Sequence, residues 1–231
     1  MKSIVSCCVV SALLCIFSVP AQAHMPSIER RDYTEQRPFQ VRGTIEKGQA
    51  IYAWLESGSD IDVYRFTVTK KELDEKGGVR LRVRANMPAC KGAPEFLPWL
   101  AVVGPGLPPP TEAIPFTVPE GYGAVVVKNT KPGAEKTFFY EQYSKKSYYI
   151  MDNYEYTITE PGTWYLYYWD PYGQGGDYVA VWGVYDGFGP GDGLRMLFNL
   201  PPIVNDRIMH TDCEWIIPEQ TSSAKDGSCL D

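Results

Sequence analysis

The chain carries two histidines, and each stands beside a methionine: His24-Met25 at one end and Met209-His210 near the other. His24 follows Ala21-Gln22-Ala23, an A-x-A processing site, so cleavage after Ala23 makes His24 the first residue of the mature chain. A first-residue histidine chelates through its α-amine and its Nδ1 together, and His210 would supply a third nitrogen. Three nitrogens in a T-shape suit copper, which tops the affinity order of the divalent first-row metals for such donors, and soft thioethers favour its reduced form. The expected metal residues are therefore His24, His210, Met25 and Met209, and the expected cofactor is copper. The plainer alternative is a chance junction at His24 and an ordinary hydrogen-bonded surface histidine at His210, which has Asp212 nearby.

A second constellation is aromatic. Trp164, Tyr165, Tyr167, Tyr168, Trp169, Tyr172, Tyr178 and Trp182 crowd two neighbouring runs. Alternation puts Trp164, Leu166 and Tyr168 on one face and Tyr165, Tyr167 and Trp169 on the other. One face must be core; the other, if exposed, offers flat rings for stacking on a glycan or an envelope protein. Trp164, Tyr168, Trp169 and Tyr172 are the expected ligand-binding residues on that reading. Core packing of strand-forming tyrosines is the competing explanation. Asp60 and Asp62 at one turn, with Asp170 and Asp177 flanking another, are hard oxygen donors that suit calcium, although their spacing is not that of an EF-hand. Hydrolytic chemistry lacks its motifs, because neither G-x-S-x-G nor H-E-x-x-H occurs. The chain reads as a binding protein rather than an enzyme.

The elements that must position these residues follow a leader. Lys2, the apolar run 4–19, Pro20 and the Ala21-Gln22-Ala23 site make residues 1–23 a secretory signal peptide, which implies a periplasmic or secreted product. No later segment is apolar enough for a membrane span. The formal charge of −6, with no basic cluster, argues against a nucleic-acid partner. The basic doublets Arg30-Arg31, Lys70-Lys71 and Lys145-Lys146 read as solvated surface. Beyond the leader's cysteines lie Cys90, Cys213 and Cys229, and an exported protein favours a disulfide among them. Cys213–Cys229 would staple the tail to itself, whereas Cys90–Cys213 would tie it to the body; the spacing leaves both open.

Short runs rich in β-branched and aromatic residues dominate, and strands are expected at 39–44, 50–56, 62–69, 79–85, 99–104, 124–128, 137–143, 154–159, 163–170 and 178–185. In residues 79–85 the apolar side chains face one way and three arginines the other, the mark of a sheet packed through one face. The expected fold is an all-β, antiparallel β-sandwich spanning residues 24–217. It carries a Pro-rich insertion after Gly104, a hairpin loop at 170–177, a short helical turn from Asp192 stopped by Pro201-Pro202, and a polar tail at 218–231.

Two resemblances can be attached to these residues. Ser59-Asp60-Ile61-Asp62-Val63-Tyr64-Arg65-Phe66 resembles the D-x-D-x-Y-x-F strand of bacterial pre-peptidase C-terminal β-sandwiches. Pro161-Gly162-Thr163-Trp164-Tyr165-Leu166, followed by Gly176-Asp177-Tyr178, is similar to their closing P-G-T-Y-Y-L hairpin. That resemblance covers roughly residues 45–185 and implies a jelly-roll-like accessory module, with the Pro-rich insertion as a departure. The His24–His210 pattern resembles the histidine brace of lytic polysaccharide monooxygenases and periplasmic copper carriers. Only His24 carries over, since no flanking motif of either family surrounds His210.

Overall fold

The computed structural model describes residues 24–56, 58–92, 98–129, 135–141, 144–189 and 191–218. The expected signal peptide, Cys229 and almost all of the expected polar tail lie outside these residues.

Alternation decides which faces pair. Strand β5 (Val79–Pro88) buries Val79, Leu81, Val83 and Ala85 and turns Arg80, Arg82 and Arg84 away from the core. Strand β4 (Ile61–Val68) buries Asp62, Tyr64, Phe66 and Val68 on its inward parity. Such strands bury one face each, so two sheets close on one another. The first is seven-stranded: β1 (Met25–Ile28), β3 (Gln49–Leu55), β12 (Gly176–Trp182), β5, β9 (Lys146–Ile150) and β8 (Thr137–Glu141) in that order, with β10 (Tyr154–Ile158) also on β5. The second is five-stranded, in the order β2 (Phe39–Gln40), β4, β11 (Gly162–Trp169), β6 (Trp99–Pro105) and β7 (Tyr122–Val127). Ile51, Leu55, Leu81, Leu100, Val102, Trp164, Leu166 and Trp182 fill the layer between them.

The sandwich is as expected, with four corrections. First, the sheets are mixed: β1 runs parallel to β3 and β2 parallel to β4, because β1, β2, β3 and β4 alternate between the two sheets, so each pair is joined by way of the other sheet and not by a hairpin. Second, residues 170–177 do not close a hairpin. β11 and β12 lie in different sheets, so this loop carries the chain across the sandwich. Asp170 holds its bend by accepting from the amides of Tyr172, Gln174 and Gly175. Third, the late helix α2 (Asp192–Val204) runs through Pro201-Pro202. The prolines lack donors but keep acceptors, and their carbonyls take the amides of Asn205 and Arg207. Fourth, Lys146 is not solvated surface: it is buried, paired with Asp206 and lies 4.6 Å from the Trp215 ring centroid. A further helix, α1 (Lys70–Lys76), was not expected, though its signals are in the sequence. Thr69 and Glu72 form a capping box, and Gly77 ends it at φ 71°.

Both sheets are covered on the outside as well. Phe116, from the Pro-rich insertion, stacks on Tyr167 at 3.9 Å between centroids and meets Trp169 edge-on. That segment lies close because Gly123 has no side chain, and a Cβ there would sit 2.0 Å from the Leu107 carbonyl oxygen. On the other sheet, Trp215 packs on Tyr148, and the Cys90–Cys213 disulfide pins its segment to the end of β5. Of the two pairings left open, this is the one that ties tail to body.

Candidate metal centre

Three carboxylates meet at one end of the sandwich. Glu29 directly follows β1; its amide donates to the Tyr52 carbonyl at 2.8 Å, and its Oε2 accepts from the Trp54 amide at 3.1 Å. The side chain thus extends the β1–β3 pairing by one step. Asp32 lies in the loop just beyond. Asp62, near the start of β4, has the inward parity of Tyr64 and Phe66 and is 0% exposed. Its Oδ2 accepts from the Tyr178 hydroxyl at 2.6 Å, and that hydroxyl lies 3.0 Å from the Tyr64 hydroxyl.

The remaining oxygens explain what the site needs. Asp62 Oδ1 and Glu29 Oε1 are buried, and among the described residues no N–H or hydroxyl reaches them; the two carboxyl groups are instead in hydrogen-bonding contact with each other. One oxygen from each of Glu29, Asp32 and Asp62 lies within 4.8 Å of the others. Burial pushes Glu29 up to about 7, helped by the negative charges of Asp32 and Asp60. Burial also raises Asp62 well above the carboxylate range, with Glu29 as the next cause, and raises Asp32. Buried carboxylates that face one another must either retain a proton or share a cation. Oxygen-only donors of this kind suit a hard ion such as calcium. Of the four aspartates considered for calcium from sequence, Asp62 alone belongs to this group. Asp60 serves its own turn, accepting from the amides of Glu56 and Ile61. Asp170 holds the crossing loop, and Asp177 accepts from the amides of His210 and Thr211.

The histidines do not meet. His24 precedes Met25, which pairs with Gln49, whereas His210 is held by Asp177, which pairs with Trp54. Those points are the two ends of the β3–β12 ladder, roughly 16 Å apart at ~3.3 Å per residue. A two-histidine brace within one chain is therefore ruled out by register. His24 Nδ1 lies 3.1 Å from Asp186 Oδ1, in a cleft of about 190 Å³ shared with Arg82, Arg84, Asn153 and Tyr185. Burial lowers its pKa more than Asp186 raises it. His210 stacks on Trp54 at 4.4 Å with its Nδ1 3.0 Å from Asp177. Met25 is buried in the core, and Met209 lines a small cavity with Tyr52 and Tyr148.

The expected aromatic surface is interior. Trp164 and Tyr168 are fully buried between the sheets, and Trp169 lies beneath the Pro-rich cover. Tyr172 alone of the four is exposed. The physical reason is that the insertion caps the face that alternation left free.

No protein-family model matches the chain, and no curated protein matches it. One similar solved structure is the pre-peptidase C-terminal domain of a collagenase from Bacillus anthracis. It has 14% identity and a TM-score of 0.31, over 66% of this chain and 97% of that one.

Proposed function

We propose that the chain is an exported, non-catalytic binding module whose folded form includes a calcium ion held by Glu29, Asp32 and Asp62. The observation that carries this reading is the pair of buried oxygens, Asp62 Oδ1 and Glu29 Oε1, which face a third carboxylate and, among the described residues, have no donor other than a proton shared between the two acids. A divalent cation would replace the missing donors and let both buried acids ionise. The Cys90–Cys213 disulfide supports an oxidising compartment, where calcium at modest affinity is a usual ligand. Calorimetric titration tests the reading: one calcium per chain is expected, with binding lost in Glu29→Gln and Asp62→Asn. No heat of binding in the wild type, or equal binding in both variants, refutes it.

A second reading keeps copper at the other end of the ladder. His24, as a processed first residue, would offer its α-amine and Nδ1, with Asp186 rather than His210 as the third ligand. The 3.1 Å approach of Asp186 favours it, whereas Arg82 and Arg84 in the same cleft oppose a cation. Tight copper(II) binding that vanishes when one residue is added ahead of His24 is the expected result. Equal affinity with the extension would remove this reading.

A further inference from the structure

Helix α2 is amphipathic in the wrong sense for a surface helix. Asp192 and Ile203 are buried beneath it, and Asn199 donates to the Pro26 carbonyl of β1 at 3.0 Å. At 100° per residue, Leu194 lies directly opposite Ile203, flanked by Leu197, Phe198, Pro201 and Val204. Leu194 is 60% exposed, Leu197 70% and Phe198 66%. The outward face is thus a continuous apolar stripe without a hydrogen-bonding group, and Phe188 just before the helix is exposed too. Unlike single exposed leucines, a contiguous stripe of this kind marks an interaction surface.

Its border tells what it meets. A groove of about 450 Å³ runs along one flank of the helix, and five of its lining residues are basic: Arg30, Arg31, Arg42, Lys47 and Arg195. The acid among them, Asp192, is already paired with Lys47 at 2.5 Å and Arg195 at 3.5 Å. Arg31 and Arg42 project to solvent. A basic strip on a chain of net charge −6 is a local exception; it meets α2 through Asp192, Arg195 and Asn199, about 100–160° round the helix from Leu194, on the polar side of the stripe, and Arg30 donates to Asn199 Oδ1 at 3.2 Å. Apolar residues facing outward with arginines along the flank are the arrangement of a helix that lies in a bilayer interface, its side chains among the acyl chains and its cations at anionic headgroups.

We infer that α2 docks the domain flat onto an anionic membrane surface, with Leu194, Leu197 and Phe198 inserted and Arg30, Arg31, Arg42 and Arg195 at the headgroups. The test is co-sedimentation of the exported protein with phosphatidylglycerol-containing vesicles, with a chelator present so that the carboxylate site plays no part. Binding is expected to fall at least about tenfold on pure phosphatidylcholine, and likewise for the pair Leu197→Glu with Phe198→Glu. Arg30→Glu with Arg31→Glu should weaken it several-fold and reduce its dependence on salt. Circular dichroism checks that these surface variants stay folded. The inference is overturned if the wild type ignores anionic vesicles at low salt. It is also overturned if the Leu197/Phe198 variant binds as well as the wild type. A dimer that the same variant dissolves, without vesicle binding, would instead assign the stripe to a second copy of the chain.

Discussion

Replacing Asp62 with asparagine isolates the electrostatics of the carboxylate centre. Without calcium, the folded protein holds a proton on the Glu29–Asp62 pair that the unfolded chain releases near pH 4.5. Glu29 is raised from 4.5 to about 7. A raised carboxylate means that the folded state binds more protons across that window, so stability is full below about pH 4.5 and is lost as pH rises through about 7. At ~1.4 kcal/mol per pH unit for one group, the loss for Glu29 is roughly 3 kcal/mol. In a domain near 200 residues that is roughly 6–12 °C of melting temperature. Calcium should abolish the decline, because both acids then ionise against a cation. Asp62→Asn removes the like charge, keeps an acceptor for Tyr178 and points an amide donor towards Glu29. Burial, the main cause of the raised Glu29, remains in the variant, so its stability should still decline with pH in the same direction, less steeply because of the amide donor, and should be indifferent to calcium. Thermal melts between about pH 5 and about pH 8, with chelator or with millimolar calcium, measure all of this. A wild type without a decline in chelator, or a variant whose stability still responds to calcium, would refute the carboxylate pair.

Three further outcomes follow from the packing. Opening the Cys90–Cys213 bridge, which spans 123 residues, should cost about 4–5 kcal/mol in urea unfolding, with the Trp215 segment exchanging its amides first. Trp164→Ala should lower stability by about 3–5 kcal/mol, read from the denaturation midpoint, with no selective loss of any ligand, since the ring is core. Thr69→Ala removes one half of the α1 capping box and should cost about 1 kcal/mol in the same assay.

The regular strands were legible because their alternation is a one-dimensional record of burial. Val79 to Ala85 reads as a half-buried strand from the residues alone, and β4 nearly so. β9 was not legible, because its buried members Lys146 and Ser147 are made burial-compatible by partners far away in sequence, Asp206 and the Ile216 carbonyl. β1 was hidden for a related reason: Met25-Pro26-Ser27-Ile28 is short, carries a proline and follows the expected leader. That loss concealed the site, since Glu29 and Asp32 reach Asp62 only once β1 is laid parallel to β3. Asp62 itself was visible within a D-x-D strand, yet its inward parity with Tyr64 and Phe66 held the signal. A charged residue on the core side of a strand demands a partner. Likewise, alternation in β11 correctly separated Trp164 and Tyr168 from Tyr167 and Trp169, but could not tell that Phe116 covers the second set.

Anomalous diffraction from crystals of residues 24–231 grown with calcium or terbium would locate the ion. One strong peak is predicted about 2.3–2.6 Å from oxygens of Glu29, Asp32 and Asp62. A map without density there, or with the ion at His24 and Asp186 instead, would contradict it.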